Sequence, residues 1–158
     1  MCTGVRFSDE EGNMYFGRNL DWCESYGEGV VITPRGASIP TQFLGSLSPE
    51  HACVGMGIVV GGVPCYFDCA NEAGLAIAGL NFPGYAQFAE APEKGAVNVA
   101  AYEFPLWVAA SFSTVAEVRK ALKDVVIVAK APSEGYGVAQ LHWLVGDGKE
   151  SIVIECQA

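Results

Sequence analysis

The chain begins Met1-Cys2-Thr3-Gly4-Val5-Arg6-Phe7 and soon continues with Gly17-Arg18-Asn19-Leu20-Asp21. Removal of Met1 would leave Cys2 with both a thiol and a free α-amine. An α-amine ordinarily has a pKa of about 7.7–8.0 and a thiol one of about 8.5, so a proton passes between them at little cost near neutral pH. Such a residue holds a nucleophile and its own general base. This stretch therefore predicts a nucleophilic site at the N-terminus.

The same stretch predicts a β-hairpin, because two strand-forming runs flank the polar residues 9–13. With the turn centred near residues 10–11, paired residue numbers sum to about 20–21. Cys2 would then lie opposite Arg18 or Asn19, with Asp21 just beyond. The geometry alone leaves two interpretations open, which are a catalytic site and an ordinary hairpin with a solvated Arg–Asp pair.

Further motifs follow along the chain. They are Met-Cys-Thr-Gly at residues 1–4, Gly-Arg-Asn-Leu-Asp-Trp at 17–22, Val-Ile-Thr-Pro-Arg-Gly at 31–36, the run from Tyr66 to Gly84, Glu-Phe-Pro-Leu-Trp at 103–107, and Leu-His-Trp at 141–143 with Gly-Asp-Gly at 146–148. In this order, and over nearly the whole chain, they resemble the choloylglycine hydrolase family. That family comprises bile salt hydrolases and penicillin V acylases, which are N-terminal-nucleophile amidohydrolases.

The predicted elements indicate an α+β fold, with helices laid on an antiparallel sheet. Thr114 and Glu117 form a capping-box pattern that predicts a helix start. Strands are predicted at 29–33, 53–60, 64–69, 75–81, 125–129, 139–145 and 151–156, a helix at 99–112, and loops at 35–50 and 85–98. The resemblance implies the αββα four-layer sandwich of N-terminal-nucleophile hydrolases, incomplete here.

The resemblance also implies residue roles. Cys2 is the expected nucleophile, Arg18 supplies positive charge to its thiolate form, Asp21 orients the α-ammonium group, and Asn81 contributes to the oxyanion hole. By sequence alone, Asn81 is equally well explained as a turn residue before Phe82-Pro83-Gly84. The expected substrate-binding residues, which supply apolar surface, are Leu20, Trp22, Tyr26 and Phe82.

The implied function is hydrolysis of the amide bond of conjugated bile salts. Asn at position 81 resembles the bile salt hydrolases, whereas penicillin V acylases resemble Tyr there. The alternatives are a penicillin V acylase, an acyl-homoserine-lactone acylase, or an inactive fragment that binds amphipathic ligands. Relatives continue into a second half, so we expect residues 1–158 to be the N-terminal part of one domain, truncated at its C-terminal side.

Composition limits the other possibilities. The formal charge is −9, and no basic patch is present to neutralise nucleic acid phosphates. Six cysteines in a chain that begins with no basic and apolar leader indicate free thiols in a reducing cytoplasm. No run is long enough to span a membrane. Only 17% of the residues are charged, which favours covered sheet faces or a subunit interface, and we expect a homo-oligomer at full length.

We expect no metal and no cofactor. Cys65 and Cys69 lie about 13 Å apart on a strand, too far for two thiolates on one zinc ion, and are predicted to be core residues. Cys23, Cys53 and Cys156 are likewise predicted to be buried thiols. The two histidines, His51 in a loop and His142 on an apolar strand, are predicted to be structural.

Overall fold

The computed structural model describes residues 2–157 and has an α+β architecture. These residues form two α-helices, α1 (Phe104–Ser111) and α2 (Val115–Ala121), and two short 3-10 turns, Ala101–Glu103 and Leu122–Asp124. The strands are β1 (Thr3–Ser8), β2 (Met14–Asn19), β3 (Gly29–Thr33), β4 (Ile39–Thr41), β5 (Gly45–Leu47), β6 (Cys53–Val60), β7 (Val63–Asn71), β8 (Ala76–Asn81), β9 (Val97–Ala100), β10 (Val125–Val128), β11 (Leu141–Gly146) and β12 (Ser151–Ile154).

A six-stranded antiparallel sheet in the order β12-β11-β8-β7-β6-β3 forms the centre of the fold. Strands β6 and β7 approach closely because Gly55 and Gly57 have no side chains. A Cβ atom on Gly55 would lie 2.0 Å from the carbonyl oxygen of Asp68, and one on Gly57 would lie 2.4 Å from that of Cys65. These glycines are therefore required by sheet packing.

The sheet is covered on its two faces by different elements. The β1–β2 hairpin packs on one face, where a Cβ atom on Gly4 would lie 3.1 Å from Leu144. Helix α1 packs on the other face, where the Phe104 ring lies 4.6 Å from that of Trp143. Neighbouring residues of a strand point to opposite faces, which explains how Trp143 and Leu144 serve both layers. The described residues thus supply three successive layers of an αββα sandwich.

Two predicted segments differ from the structure. The expected helix at 99–112 begins only at Phe104, because Val99 and Ala100 complete β9, which pairs in parallel with β10. Pro105 lies in the first turn of α1, where a missing N–H costs no hydrogen bond. The expected loop at 35–50 contains the small antiparallel pair β4–β5. The predicted capping box is confirmed, since Glu117 N–H donates to the Thr114 hydroxyl at 3.2 Å.

The sequence predicts that the five cysteines away from the N-terminus are buried. The structure confirms this fully for three of them and in part for a fourth. Cys53, Cys65 and Cys69 are buried, and burial raises the pKa of the first two thiols to about 11. Cys156 is half-buried. The prediction for Cys23 is wrong, because its thiol is exposed in the loop after β2. No helix within residues 2–157 is both long and apolar enough to cross a membrane.

Candidate active site

The N-terminal hairpin forms as predicted, but its register differs. Thr3 pairs with Asn19 and Gly4 with Arg18, so paired numbers sum to 22 and Cys2 precedes the first pair. The prediction that Cys2 lies opposite Arg18 or Asn19 is therefore wrong. The physical reason is the turn, in which the Asp9 carboxylate accepts the N–H groups of Glu11 and Asn13 at 3.0 and 2.8 Å. These bonds centre the turn at Glu11.

Arg18 lies in the layer between the hairpin and the central sheet, and its side chain is only 7% exposed. Its Nη2 donates to the carbonyl oxygen of Gly79 at 2.9 Å. Its Nη1 lies 3.7 Å from Oδ2 of Asp68. The Nε atom is buried and has no hydrogen-bond acceptor among the described residues. The guanidinium group is therefore held beside the sheet with one donor unused.

Asp68 provides the negative charge that accompanies Arg18. Burial raises the pKa of the Asp68 carboxyl, while the Arg18 charge and a hydrogen bond from the Met56 backbone oppose this rise. Sequence reasoning missed Asp68, although it lies within the matched run from Tyr66 to Gly84. No local pattern indicates that a mid-strand carboxylate will meet an arginine fifty residues earlier in the chain.

A cavity of about 600 Å³ lies beside the hairpin, and both Cys2 and Asn81 line it. Asn81 ends β8 and pairs with Leu141, which lines the same cavity. An amide side chain that faces the cavity together with a thiol is suited to bind an oxyanion formed when the sulfur attacks a carbonyl. Asp21 lies one residue after the cavity-lining Leu20, in an exposed loop.

Three of the four expected substrate-binding residues line this cavity, namely Leu20, Trp22 and Tyr26. The indole Nε1 of Trp22 donates to the Tyr26 hydroxyl at 3.0 Å. The Tyr26 ring meets that of Phe67 edge-on, with centroids 6.1 Å apart. These contacts fix aromatic side chains that remain partly exposed, which is the arrangement expected for apolar ligand binding.

Phe82 is placed differently from the other three. It follows Asn81 directly, so its side chain points to the opposite side of the chain. Its ring stacks on that of His142, with centroids 4.5 Å apart, and Phe82 is not among the described residues that line the cavity. Its neighbour Pro83 lines the cavity instead.

Part of the cavity wall could not be recognised in the sequence. Residues of the segment 130–141 contribute much of it, and Tyr136 lies with its ring centroid 6.2 Å from that of Tyr26. Phe67 also lines it, at the point where the β6–β7 register shifts by a β-bulge. Bulges re-aim side chains and are frequent next to active sites. In the sequence, the feature that could have indicated this wall is Tyr136 between two glycines, at positions 135–137.

The histidines take no part in this site. The Nε2 atom of His51 lies 3.0 Å from the Ser113 hydroxyl, and Nδ1 of His142 lies 3.2 Å from a carboxylate oxygen of Glu155. Neither residue lines the cavity. Both have the structural environment that the sequence predicts.

Comparison with known proteins indicates the family to which the chain belongs. Residues 2–158 match the linear amide C–N hydrolases, choloylglycine hydrolase family. The chain is 57% identical to a bile salt hydrolase/transferase of Bifidobacterium longum subsp. longum, covering 100% of this chain and 50% of the relative. It is 52% identical to a conjugated bile acid hydrolase of Lactobacillus gasseri, covering 98% and 49%. The chain thus spans about half the length of the curated relatives it matches.

Solved structures agree with the fold. The C2A mutant and the R18L variant of conjugated bile acid hydrolase from Clostridium perfringens superpose with TM-scores of 0.94 and 0.93, at 36% and 34% identity. Each comparison covers 99% of this chain and 48% of the solved one. A penicillin V acylase from Agrobacterium tumefaciens gives a TM-score of 0.73 at 20% identity, covering 99% of this chain and 46% of the other, which indicates a shared fold alone.

The layered arrangement of hairpin, sheet and helices is the fold of the N-terminal-nucleophile hydrolases, and Cys2 lies beside a partly aromatic cavity. The chain belongs to the choloylglycine hydrolase family.

Proposed function

We propose that the protein hydrolyses the amide bond of conjugated bile salts, with Cys2 as the nucleophile after removal of Met1. The observation that carries this proposal is the shared cavity, in which Cys2 and Asn81 stand with the apolar surface of Leu20 and Trp22. A volume of about 600 Å³ lies within the range of small-molecule sites. The relatives at 52–57% identity are named for bile salts or bile acids, which favours this substrate over penicillin V.

The reaction begins with proton transfer. The α-amine of Cys2, directly or through one water, accepts the thiol proton, and the sulfur attacks the amide carbonyl carbon. Asp21 orients the resulting α-ammonium group. Arg18, held by Gly79 and Asp68, supplies fixed positive charge that favours the thiolate form.

The tetrahedral intermediate then collapses. The Asn81 amide donates a hydrogen bond to the oxyanion, a contribution often worth about 3–4 kcal/mol for one donor. The C–N bond breaks, the α-ammonium group returns its proton to the departing amine, and a thioester on Cys2 remains. A water molecule, deprotonated by the α-amine, attacks the thioester and releases the bile acid.

We also propose the larger setting of this site. Residues 1–158 form the N-terminal part of a single hydrolase domain, an assignment supported by alignment with about half of each relative. We place the protein in the cytoplasm and expect a homo-oligomer. Its ligand is a small amphipathic amide rather than nucleic acid, since Lys and Arg number 9 against 18 Asp and Glu.

The test is made on the protein expressed from its complete reading frame. Release of glycine or taurine from conjugated bile salts is compared with release of phenoxyacetic acid from penicillin V and of fatty acid from an acyl-homoserine lactone. We expect the bile salts to be preferred, and Cys2→Ala to reduce their turnover by at least about 1000-fold, since loss of a nucleophile has effects of this size or larger.

Cys23→Ala is the matched control, because this cysteine is exposed and does not line the cavity. It should retain wild-type turnover. Full activity in Cys2→Ala or Cys2→Ser would contradict the mechanism. A Cys2 that iodoacetamide labels no faster than a simple thiol, together with no amide hydrolysis, would instead indicate an inactive ligand-binding protein.

A further inference from the structure

The charges around the cavity are distributed unlike those of the whole chain. The sequence has 18 Asp and Glu against 9 Lys and Arg. Of the described residues that line the cavity, however, none is acidic, and Lys130 is the one with a formal charge. A wall free of carboxylates in a chain of net charge −9 creates a local environment that an anion can enter.

Lys130 has a well-defined place in the backbone. It follows β10, and the preceding Ala129 donates its N–H to the carbonyl oxygen of Ala89 at 2.8 Å. The far end of the segment is held by Gln140, whose carbonyl oxygen accepts from Phe82 N–H at 2.8 Å and whose side chain accepts from Gly84 N–H at 2.6 Å. The segment that carries Lys130 is therefore attached to the sheet at both ends.

The charge of Lys130 has no ion-pair partner among the described residues. Within residues 2–157, none of the observed ion pairs includes Lys130. Glu134 lies in the same segment, and it forms no ion pair with this lysine. Lys130 is exposed, so its ammonium group keeps the freedom to meet a ligand.

We propose that Lys130 is a specificity-determining residue, which binds the anionic group of the amphipathic amide substrate. This inference rests on the proposed function. The ammonium group is a compact charge on a flexible four-carbon stem, so it can follow a carboxylate or a sulfonate at slightly different positions. The net negative charge of the chain repels anionic substrates at long range. Once a substrate anion lies within a Debye length of Lys130, about 8 Å, the ammonium group attracts it.

The experiment compares two amides of the same bile acid in the protein expressed from its complete reading frame. One is the glycine conjugate, which is anionic, and the other is the ethanolamine amide, which is neutral. We expect Lys130→Met to lower kcat/KM for the glycine conjugate by about three- to tenfold, through KM. The value for the neutral amide should stay within twofold, which also shows that the variant is folded. Lys130→Arg should retain most of the preference.

Lys123→Met is the matched control, because Lys123 is an exposed lysine that does not line the cavity. It should leave the ratio of the two kcat/KM values unchanged. Raising the salt concentration should reduce the wild-type preference, whereas in Lys130→Met it screens only the long-range repulsion, so the ratio in that variant should not fall.

The outcomes separate the two proposals. If the wild-type protein hydrolyses both amides and Lys130→Met keeps the wild-type ratio, the role of Lys130 is wrong and the proposed function stands. If the wild-type protein hydrolyses neither amide, the proposed function itself is wrong, and the role of Lys130 is overturned with it.

Discussion

Strand β7 and the turn after it carry two carboxylates, four residues apart, that each meet an arginine in a different environment. Asp68 faces Arg18 in the layer between the hairpin and the sheet, where the arginine side chain is 7% exposed. Glu72 forms a two-bond pair with Arg35 at the surface, where the arginine side chain is 66% exposed. The chemical groups are the same, but their surroundings are opposite.

The two pairs differ in what the protein does with the charge. Glu72 accepts hydrogen bonds from Arg35 and from Ala52 N–H, and these lower the pKa of its carboxyl to about 2. Burial raises the pKa of Asp68 despite the Arg18 charge. Charges removed from water cost free energy that their mutual attraction recovers only in good geometry. A partly buried pair at 3.7 Å thus adds little to stability, which fits the catalytic role that we propose for Arg18.

The largest expected difference is in activity. Arg18→Met removes the fixed positive charge from the site, and we expect hydrolysis of the glycine conjugate to fall by about 100-fold or more, comparable to the loss of one transition-state donor. Arg35→Met removes an exposed ion pair and should keep activity within about twofold. Initial rates at saturating substrate, with circular dichroism to verify folding, measure both.

Equal losses in the two variants would contradict this comparison. Lys120→Met, which removes an exposed cation on α2, controls for a general effect of charge removal. It should match the Arg35 variant rather than the Arg18 variant.

A smaller effect is expected on stability at Asn71, which ends β7 between the two carboxylates. Its buried side chain donates to the carbonyl oxygens of Ala109 and Phe112 at 2.8 and 2.7 Å, and accepts from Ala73 and Leu75 N–H at 3.0 Å each. Asn71→Ala leaves these four groups without that partner. We expect the free energy of unfolding to fall by about 2–4 kcal/mol, measured by urea denaturation.

The control for that prediction is Asn13→Ala, in the exposed turn of the N-terminal hairpin. It should cost less than about 1 kcal/mol, since water can replace the lost partner. A similar loss of unfolding free energy at both positions would show that the buried hydrogen bonds of Asn71 contribute no more than those of an exposed turn.

The smallest effect is a pH dependence of opposite sign at the two carboxylates. The Glu72 pKa falls from 4.5 to about 2 in the folded chain, so its contribution to stability is complete above about pH 4.5 and disappears as the pH falls towards 2. The raised pKa of Asp68 means that its ionisation destabilises the fold as the pH rises above 3.8.

Urea midpoints of Glu72→Gln and Asp68→Asn between pH 2.5 and 6 measure this difference. Relative to the wild type, Glu72→Gln should lose most stability at pH 6 and least at pH 2.5. Asp68→Asn should become relatively more stable as the pH rises through this range. If the stabilities of the two variants changed with pH in the same direction, the pKa values of Asp68 and Glu72 would not be shifted in opposite directions.

Several elements could be predicted from the sequence because their cause is local. The N-terminal hairpin follows from strand-forming runs around a polar turn. Helix α2 begins at Val115, directly after its N-cap Thr114, because the capping box needs only four consecutive residues. The alternation of His142 with apolar neighbours along its strand likewise predicts a structural histidine, and His142 contacts Glu155. In each case the deciding contacts join residues close in sequence or follow the two-residue period of a strand.

Other features were not predicted because they depend on side-chain hydrogen bonds or on segments distant in the sequence. The hydrogen bonds that the Asp9 carboxylate accepts set the hairpin register at Thr3–Asn19, and a one-residue change in the turn moves every pair. The helix expected from residue 99 begins later because β10 pairs with Val99 and Ala100. Cys23 is exposed although its residue type is usually buried, because residues 20–27 of the loop after β2 are all exposed.

The sequence by itself determined the family, the N-terminal cysteine and the motifs that contain Arg18, Asp21 and Asn81, because residue identity specifies which chemical groups are available. Only the tertiary structure decided that Arg18 meets Asp68 and Gly79, that Phe82 packs on His142, and that Lys130 is the one charged residue of the described cavity wall. The physical reason is that burial, charge pairing and cavity shape arise from contacts between distant residues, which strand register and layer packing create and local sequence does not encode.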